Sequence, residues 1–86
     1  MQLIHGQVVD SQGRPLAQAA IYVIAGPVAM PDIAQVTDDQ GRFTLAAPVA
    51  GNYRIGARAE PWGTVQADVE VIASQPASIK LKFLNS

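Results

Sequence analysis

The sequence predicts an all-β fold, a small antiparallel β-sandwich of about seven short strands. Three observations carry that expectation. Short runs alternate apolar and polar residues, as in Tyr53-Arg54-Ile55-Gly56-Ala57-Arg58-Ala59-Glu60, so every second side chain can face a core. Clusters of Gly, Pro, Asp, Asn and Ser interrupt these runs roughly every 8–12 residues. No segment sustains the apolar period of a helix. The pattern serves a sandwich or a barrel, and its one-sidedness means antiparallel sheets with a solvated outer face.

Residues 2–9 read as a first strand, with Ile4 and Val8 inward and Leu3, His5, Gln7 and Val9 on the other face. Asp10-Ser11-Gln12-Gly13-Arg14-Pro15 is a turn with glycine where positive φ is cheap. Residues 19–25 are apolar throughout, and their β-branched and aromatic content favours a strand with Ala19, Ile21 and Val23 inward. Gly26-Pro27 ends it. The next loop carries Pro27, Met30, Pro31 and Asp32, and its prolines exclude a central strand. Residues 33–37 form a short strand. Asp38-Asp39-Gln40-Gly41 has Asp first and Gly fourth, the chemistry of a type I turn. It echoes the turn at Asp10 without any fixed-period repeat.

Phe43 and Leu45 share one face of the following strand, and Tyr53, Ile55, Ala57 and Ala59 share one face of the strand over 51–60. Pro61-Trp62-Gly63 turns the chain. Val65, Ala67, Val69 and Val71 then alternate with Thr64, Gln66, Asp68 and Glu70. Residues 73–77 contain Pro76 and form a loop. The last strand sets Ile79, Leu81 and Phe83 against Ser78, Lys80 and Lys82.

Eighty-six residues make one domain, 1–86. With 6 basic and 7 acidic residues the net charge is −1, which offers no field for nucleic acid and no polybasic face for anionic lipid. Charged residues are 15% and hydrophobic ones 49%, so the chain should fold rather than stay disordered. It has no cysteine, and so no disulfide, thiolate metal site or Cys nucleophile. Met1-Gln2-Leu3-Ile4-His5 lacks a basic and then apolar leader, so no signal peptide is visible; with Met1 as the native start the chain would be cytoplasmic. No apolar run is long enough to span a bilayer, and no membrane insertion is expected.

Candidate chemistry is sparse. His5 is the only histidine and makes neither a triad nor a zinc site alone, so it reads as an outer-face strand residue. Asp32, Asp38 and Asp39 lack the evenly spaced oxygen ligands of a calcium loop. Ser11, Ser74 and Ser78 have no base partner or nucleophile elbow, and no glycine-rich phosphate loop is present. No cofactor or metal is expected. Trp62 between Pro61 and Gly63 is the most informative single residue. It is either an anchor for a protein or sugar, with Met30 and the prolines of the 26–35 loop, or a lid over one end of the core. Tyr22, Arg54 and Arg58 on outer faces could extend a binding surface. The candidate binding residues are therefore Trp62, Met30, Tyr22 and Arg58.

Three motif pieces lie in order along the chain. They are Ile4-x-Gly6-x-Val8-x-Asp10-x-x-Gly13-x-Pro15-Leu16-Ala17-x-Ala19-x-Ile21-x-Val23, then Thr37-Asp38-x-x-Gly41-x-Phe43-x-Leu45, then Gly51-x-Tyr53-x-Ile55. Together they resemble the carboxypeptidase regulatory-like domain, a transthyretin-like or prealbumin-like sandwich. The resemblance implies a seven-stranded Greek-key module that accompanies other domains and does no chemistry itself, serving stability, adhesion or ligand presentation. Pro61-Trp62-Gly63 replaces the Gly-Tyr usual after the fifth strand. The transthyretin-like fold also hosts 5-hydroxyisourate hydrolase, but that family's several histidines and Tyr-Arg-Gly-Ser tail are unmatched by His5 and Phe83-Leu84-Asn85-Ser86. Gln7 stands nearer than His5 to the place of that family's first-strand histidine. The expectation is a non-catalytic interaction or accessory module that binds another protein or domain. A carbohydrate or small-ligand module using Trp62 and the 26–35 loop is the alternative, a small hydrolase is disfavoured, and self-association through an edge strand is open to a sandwich.

Overall fold

The computed structural model describes residues 2–28 and 35–84. Among these residues lie β1 (Gln2–Val9), β2 (Ala20–Ala25), β3 (Gln35–Val36), β4 (Arg42–Ala47), β5 (Gly51–Ala59), β6 (Gly63–Val71) and β7 (Ala77–Lys82), with no helix. They stack as two layers, in the orders β4-β1-β7 and β3-β2-β5-β6. The chain changes layer between β1 and β2, β3 and β4, β4 and β5, and β6 and β7, in Greek-key fashion. The expected strand over 33–37 is seen as β3; residues 33 and 34 lie outside the described residues.

The expectation of wholly antiparallel sheets needs one correction. β1 pairs antiparallel with β4, but β1 and β7 run parallel, with Ile4 opposite Ala77 and Val9 opposite Lys82. The cause is the route of the chain. β6 ends at the end of the sandwich where β1 begins, and the 72–76 loop crosses to the other layer there. β7 must then run the same way as β1.

Alternation fills the space between the layers. Ile4, Val8, Ile21, Phe43, Leu45, Tyr53, Ile55, Ala57, Val69, Val71, Leu81 and Phe83 are all buried. Val23, Val65 and Ile79 point the same way but are half-buried, since they lie toward the margins of the core. Val9, expected on the outer face, is buried as well: the turn after β1 folds back, and Pro15 pairs with it.

Two strand glycines are occupied by rings from their cross-strand partners. Gly6 pairs with Phe43, and a Cβ on Gly6 would collide with the Phe43 ring. Gly56 pairs with Tyr22 on the outer face of the other layer, where a Cβ would stand 2.5 Å from Tyr22 Cε2. In both places the missing side chain makes room for an aromatic one.

The echoed turns are the same structure built twice. Asp10 Oδ1 accepts from the backbone N–H groups of Gln12 and Arg14, both at 2.9 Å. Asp38 Oδ1 accepts from those of Gln40 and Arg42, again at 2.9 Å. Each turn closes from the glycine N–H to the aspartate C=O, at 3.0 Å for Gly13 and 2.9 Å for Gly41. Gly41 has φ of +73° and sits against β1, where a Cβ would meet the Val8 carbonyl oxygen at 2.5 Å. Only glycine suits that position.

The turns also lock the layers together. Thr37 is buried; its Oγ1 donates to the Leu16 carbonyl at 2.6 Å and accepts from the Ala19 N–H at 2.9 Å. At the other end, the buried Tyr53 hydroxyl donates to the Val49 carbonyl at 2.7 Å, tying down the β4–β5 connection.

Candidate functional site

The outer face of the β4-β1-β7 layer is built from the polar half of each strand's alternation. Register places Arg42, Gln7 and Lys80 in one row across the three strands, and Thr44, His5 and Ser78 in the next. Lys82 follows on β7. Between them lies an open hollow of about 520 Å³, lined by His5, Gln7, Arg42, Ser78 and Lys80, with inward-pointing Gly6 and Ile79 contributing its floor. The Gln7 amide donates to the Gln40 carbonyl at 2.9 Å, which anchors one wall to the β3–β4 turn.

Charge is unevenly distributed over the molecule. Elsewhere each arginine has an acid beside it: Arg14 with Asp10 at 2.8 Å, Arg54 with Asp68 at 2.9 Å and Arg58 with Glu60 at 3.5 Å. Lys80 and Lys82 make no ion pair among the described residues, Arg42 makes no direct one although its charge acts on the Asp38 carboxyl in the adjoining turn, and the strands of their face carry no Asp or Glu. The near-neutral total conceals a local cationic face.

The acids that do perform structural work are the turn aspartates. The Arg14 N–H holds the Asp10 carboxyl below its usual range, helped by the Gln12 N–H and the Arg14 guanidinium and opposed by desolvation. Asp38 is lowered likewise, first by the Arg42 N–H, helped by the Gln40 N–H and the Arg42 charge and opposed by desolvation. Asp68 in turn raises the pKa of Arg54.

Chemically, the face can hold an anionic or hydrogen-bonding group. His5 is exposed and is the cross-strand neighbour of Ser78, but among the described residues no hydrogen bond joins the two and no carboxylate orients the ring. Among the described residues no three of His, Asp and Glu stand close enough together to hold a metal ion.

Of the residues singled out from the sequence, Trp62, Tyr22 and Arg58 lie among the described residues. Trp62 is half-buried and packs on the margin of the core near one end of β5, a lid-like position. Gly26 and Pro27 leave β2 at the other end, where Pro27 lies against Gly51. The length of β5, roughly 25–30 Å at about 3.3 Å per residue, separates Pro27 from Trp62. Met30 lies outside the described residues. Tyr22 lines a hollow with Ile24, Thr64 and Gln66, whereas Arg58 borders a different one with Gln18, Ala20 and Glu60. Sequence reasoning did not assemble Arg42, Lys80 and Lys82. Each sits at a polar position of its strand, and only the pairing of β4 and β7 on either side of β1 brings them together.

Two stacked layers with these crossings define a transthyretin-like β-sandwich module. The chain belongs to the carboxypeptidase regulatory-like domain family, whose sequence profile matches residues 3–83. The motif resemblance is thereby confirmed. Among solved structures, Klebsiella pneumoniae 5-hydroxyisourate hydrolase is similar at a TM-score of 0.68 and 20% identity, over 100% of this chain and 92% of that one. At that identity the likeness is one of fold. No curated protein sequence matches the chain.

Proposed function

We propose that the chain is a non-catalytic interaction module that binds another protein through the outer face of its β4-β1-β7 layer. The observation that carries this reading is the composition of that face: Arg42, Lys80 and hydrogen-bonding groups around a hollow, with a single histidine and no Asp or Glu on its three strands. Such a set binds but has no nucleophile, base and orienting group acting together. Membership of a regulatory-like family supports the same reading. Trp62 then serves the fold, as the lid over one end of the core.

Selection of a random peptide display library on the folded chain tests this. Enriched peptides should lose binding on Arg42→Ala or His5→Ala and keep it on Arg58→Ala, on the opposite face. Because the Asp38 turn uses the backbone N–H of Arg42, Arg42→Ala should fold normally. Turnover of any ester or amide substrate that disappears with His5→Ala would overturn the proposal.

A further inference from the structure

β6 and β7 are edge strands of opposite layers, and the layers come closest where these two meet. Along β7, no backbone group bonds to a described residue outside β1. The outward residues of the two edges carry opposite charge: Glu70 and Asp68 on β6, the latter already paired with Arg54 of its own layer, and Lys80 and Lys82 on β7. The inward residues Val65 and Ala67 of β6 and Ile79 of β7 are only half-buried, leaving a partly open apolar seam. Lysines on an edge strand discourage pairing with a like edge. They do not discourage pairing with an acidic one.

We infer that this chain pairs with a second copy of itself, β6 of each copy adding to β7 of the other. β6 ends where β7 begins, so the two run in opposite directions. A two-fold axis along the strands therefore sets each β6 antiparallel to the partner's β7 and closes both open edges at once. The outcome is a finite dimer of two continuous sheets. Opposite residues of an antiparallel pair share a face, so inward residues stay inward. In one such register Asp68 faces the partner's Lys82 and Glu70 faces the partner's Lys80. Two residues along, Asp68 faces the partner's Lys80. Both set carboxylates against ammonium groups, and both cover the Val65, Ala67 and Ile79 seam. The competing two-fold arrangement, like edge on like edge, crowds four lysines at β7.

Sedimentation velocity over a concentration series should show a dimer whose dissociation rises with salt. Lys80→Glu with Lys82→Glu should raise the dissociation constant by about tenfold or more, and Asp68→Lys with Glu70→Lys should do the same. An equimolar mixture of the two variants should restore the dimer. These side chains are exposed, so both variants should keep the native β-sheet circular dichroism, with a small loss of stability where Asp68→Lys ends the pair with Arg54 and where the dimer no longer forms. The absence of cysteine permits a second readout. A chain carrying Asp68→Cys or Glu70→Cys should cross-link to one carrying Lys80→Cys. A monomer at every concentration, the result expected if the lysines only keep the edge unpaired, would overturn the inference. So would cross-links confined to like positions.

Discussion

Gly6→Ala is the sharpest test of how the core is packed. Its Cβ would stand 2.6 Å from Phe43 Cε2 and nearer still to Cζ and Cε1, whereas carbon atoms rest about 3.5–4.0 Å apart. The ring would have to retreat by about 1 Å or more, yet Phe43 is only 5% exposed and packed into the core. Overpacking of this kind costs about 1–3 kcal/mol, and the rigid ring argues for the upper end. Replacing a strand glycine returns about 0.5–1 kcal/mol. The net loss should be about 2 kcal/mol, or a fall in Tm of roughly 8–16 °C for a domain of this size. Phe43→Leu alone should cost about 1–2 kcal/mol through the space it leaves. Adding Gly6→Ala to Phe43→Leu should cost nothing more, because the new methyl enters that space. Urea unfolding of the four chains, with m unchanged, gives the coupling, about 2 kcal/mol. Strictly additive effects, or a Gly6→Ala chain more stable than the native one, would refute the packing.

Three further outcomes follow from the turns and the lid. Thr37→Val strips the Ala19 N–H and Leu16 carbonyl of their hydroxyl partner and should cost about 1–3 kcal/mol in urea unfolding, whereas Thr37→Ser should keep most of the stability; equal loss in both would count against the hydroxyl's role. Asp10 and Asp38 have pKa values lowered on folding. Their contribution is therefore present above the unfolded carboxylate pKa of about 3.9 and lost as pH falls through the lower folded values. Tm should drop below about pH 4, and Asp10→Asn with Asp38→Asn should flatten that drop; an unchanged slope would contradict it. Trp62→Ala should cost about 2 kcal/mol, since the ring is half-buried against the core; a melt identical to the native one would return Trp62 to the role of a surface anchor.

Much of the fold is legible from alternation, because burial on one face leaves a period of two whatever the strand's neighbours. Tyr53, Ile55 and Ala57, or Leu81 and Phe83, identify their inward face without any knowledge of partners. The two Asp-x-Gln-Gly-Arg turns are equally readable, since their bonds join residues four apart or fewer. What alternation does not encode is direction and adjacency, which is why the parallel β1–β7 pairing came only from the structure. The same limit hid the roles of Gly6 and Gly56, which depend on a ring from another strand, and of Thr37, whose partners lie 18 and 21 residues away. The cationic face was hidden twice, by distance along the chain and by a net charge of −1. Trp62 stands out by its place in the turn between Pro61 and Gly63, but a turn sequence does not reveal whether an aromatic points toward solvent or back over the core.

The proposed function requires that this sandwich act by presenting a sheet face rather than by chemistry. Chemical-shift mapping of a display-selected peptide on the isotope-labelled chain tests that most directly. Shifts should concentrate at His5, Gln7, Arg42, Thr44, Ser78 and Lys80 and vanish with Arg42→Ala. Shifts centred on Trp62 or on the Tyr22 face, with the β4-β1-β7 layer silent, would contradict it.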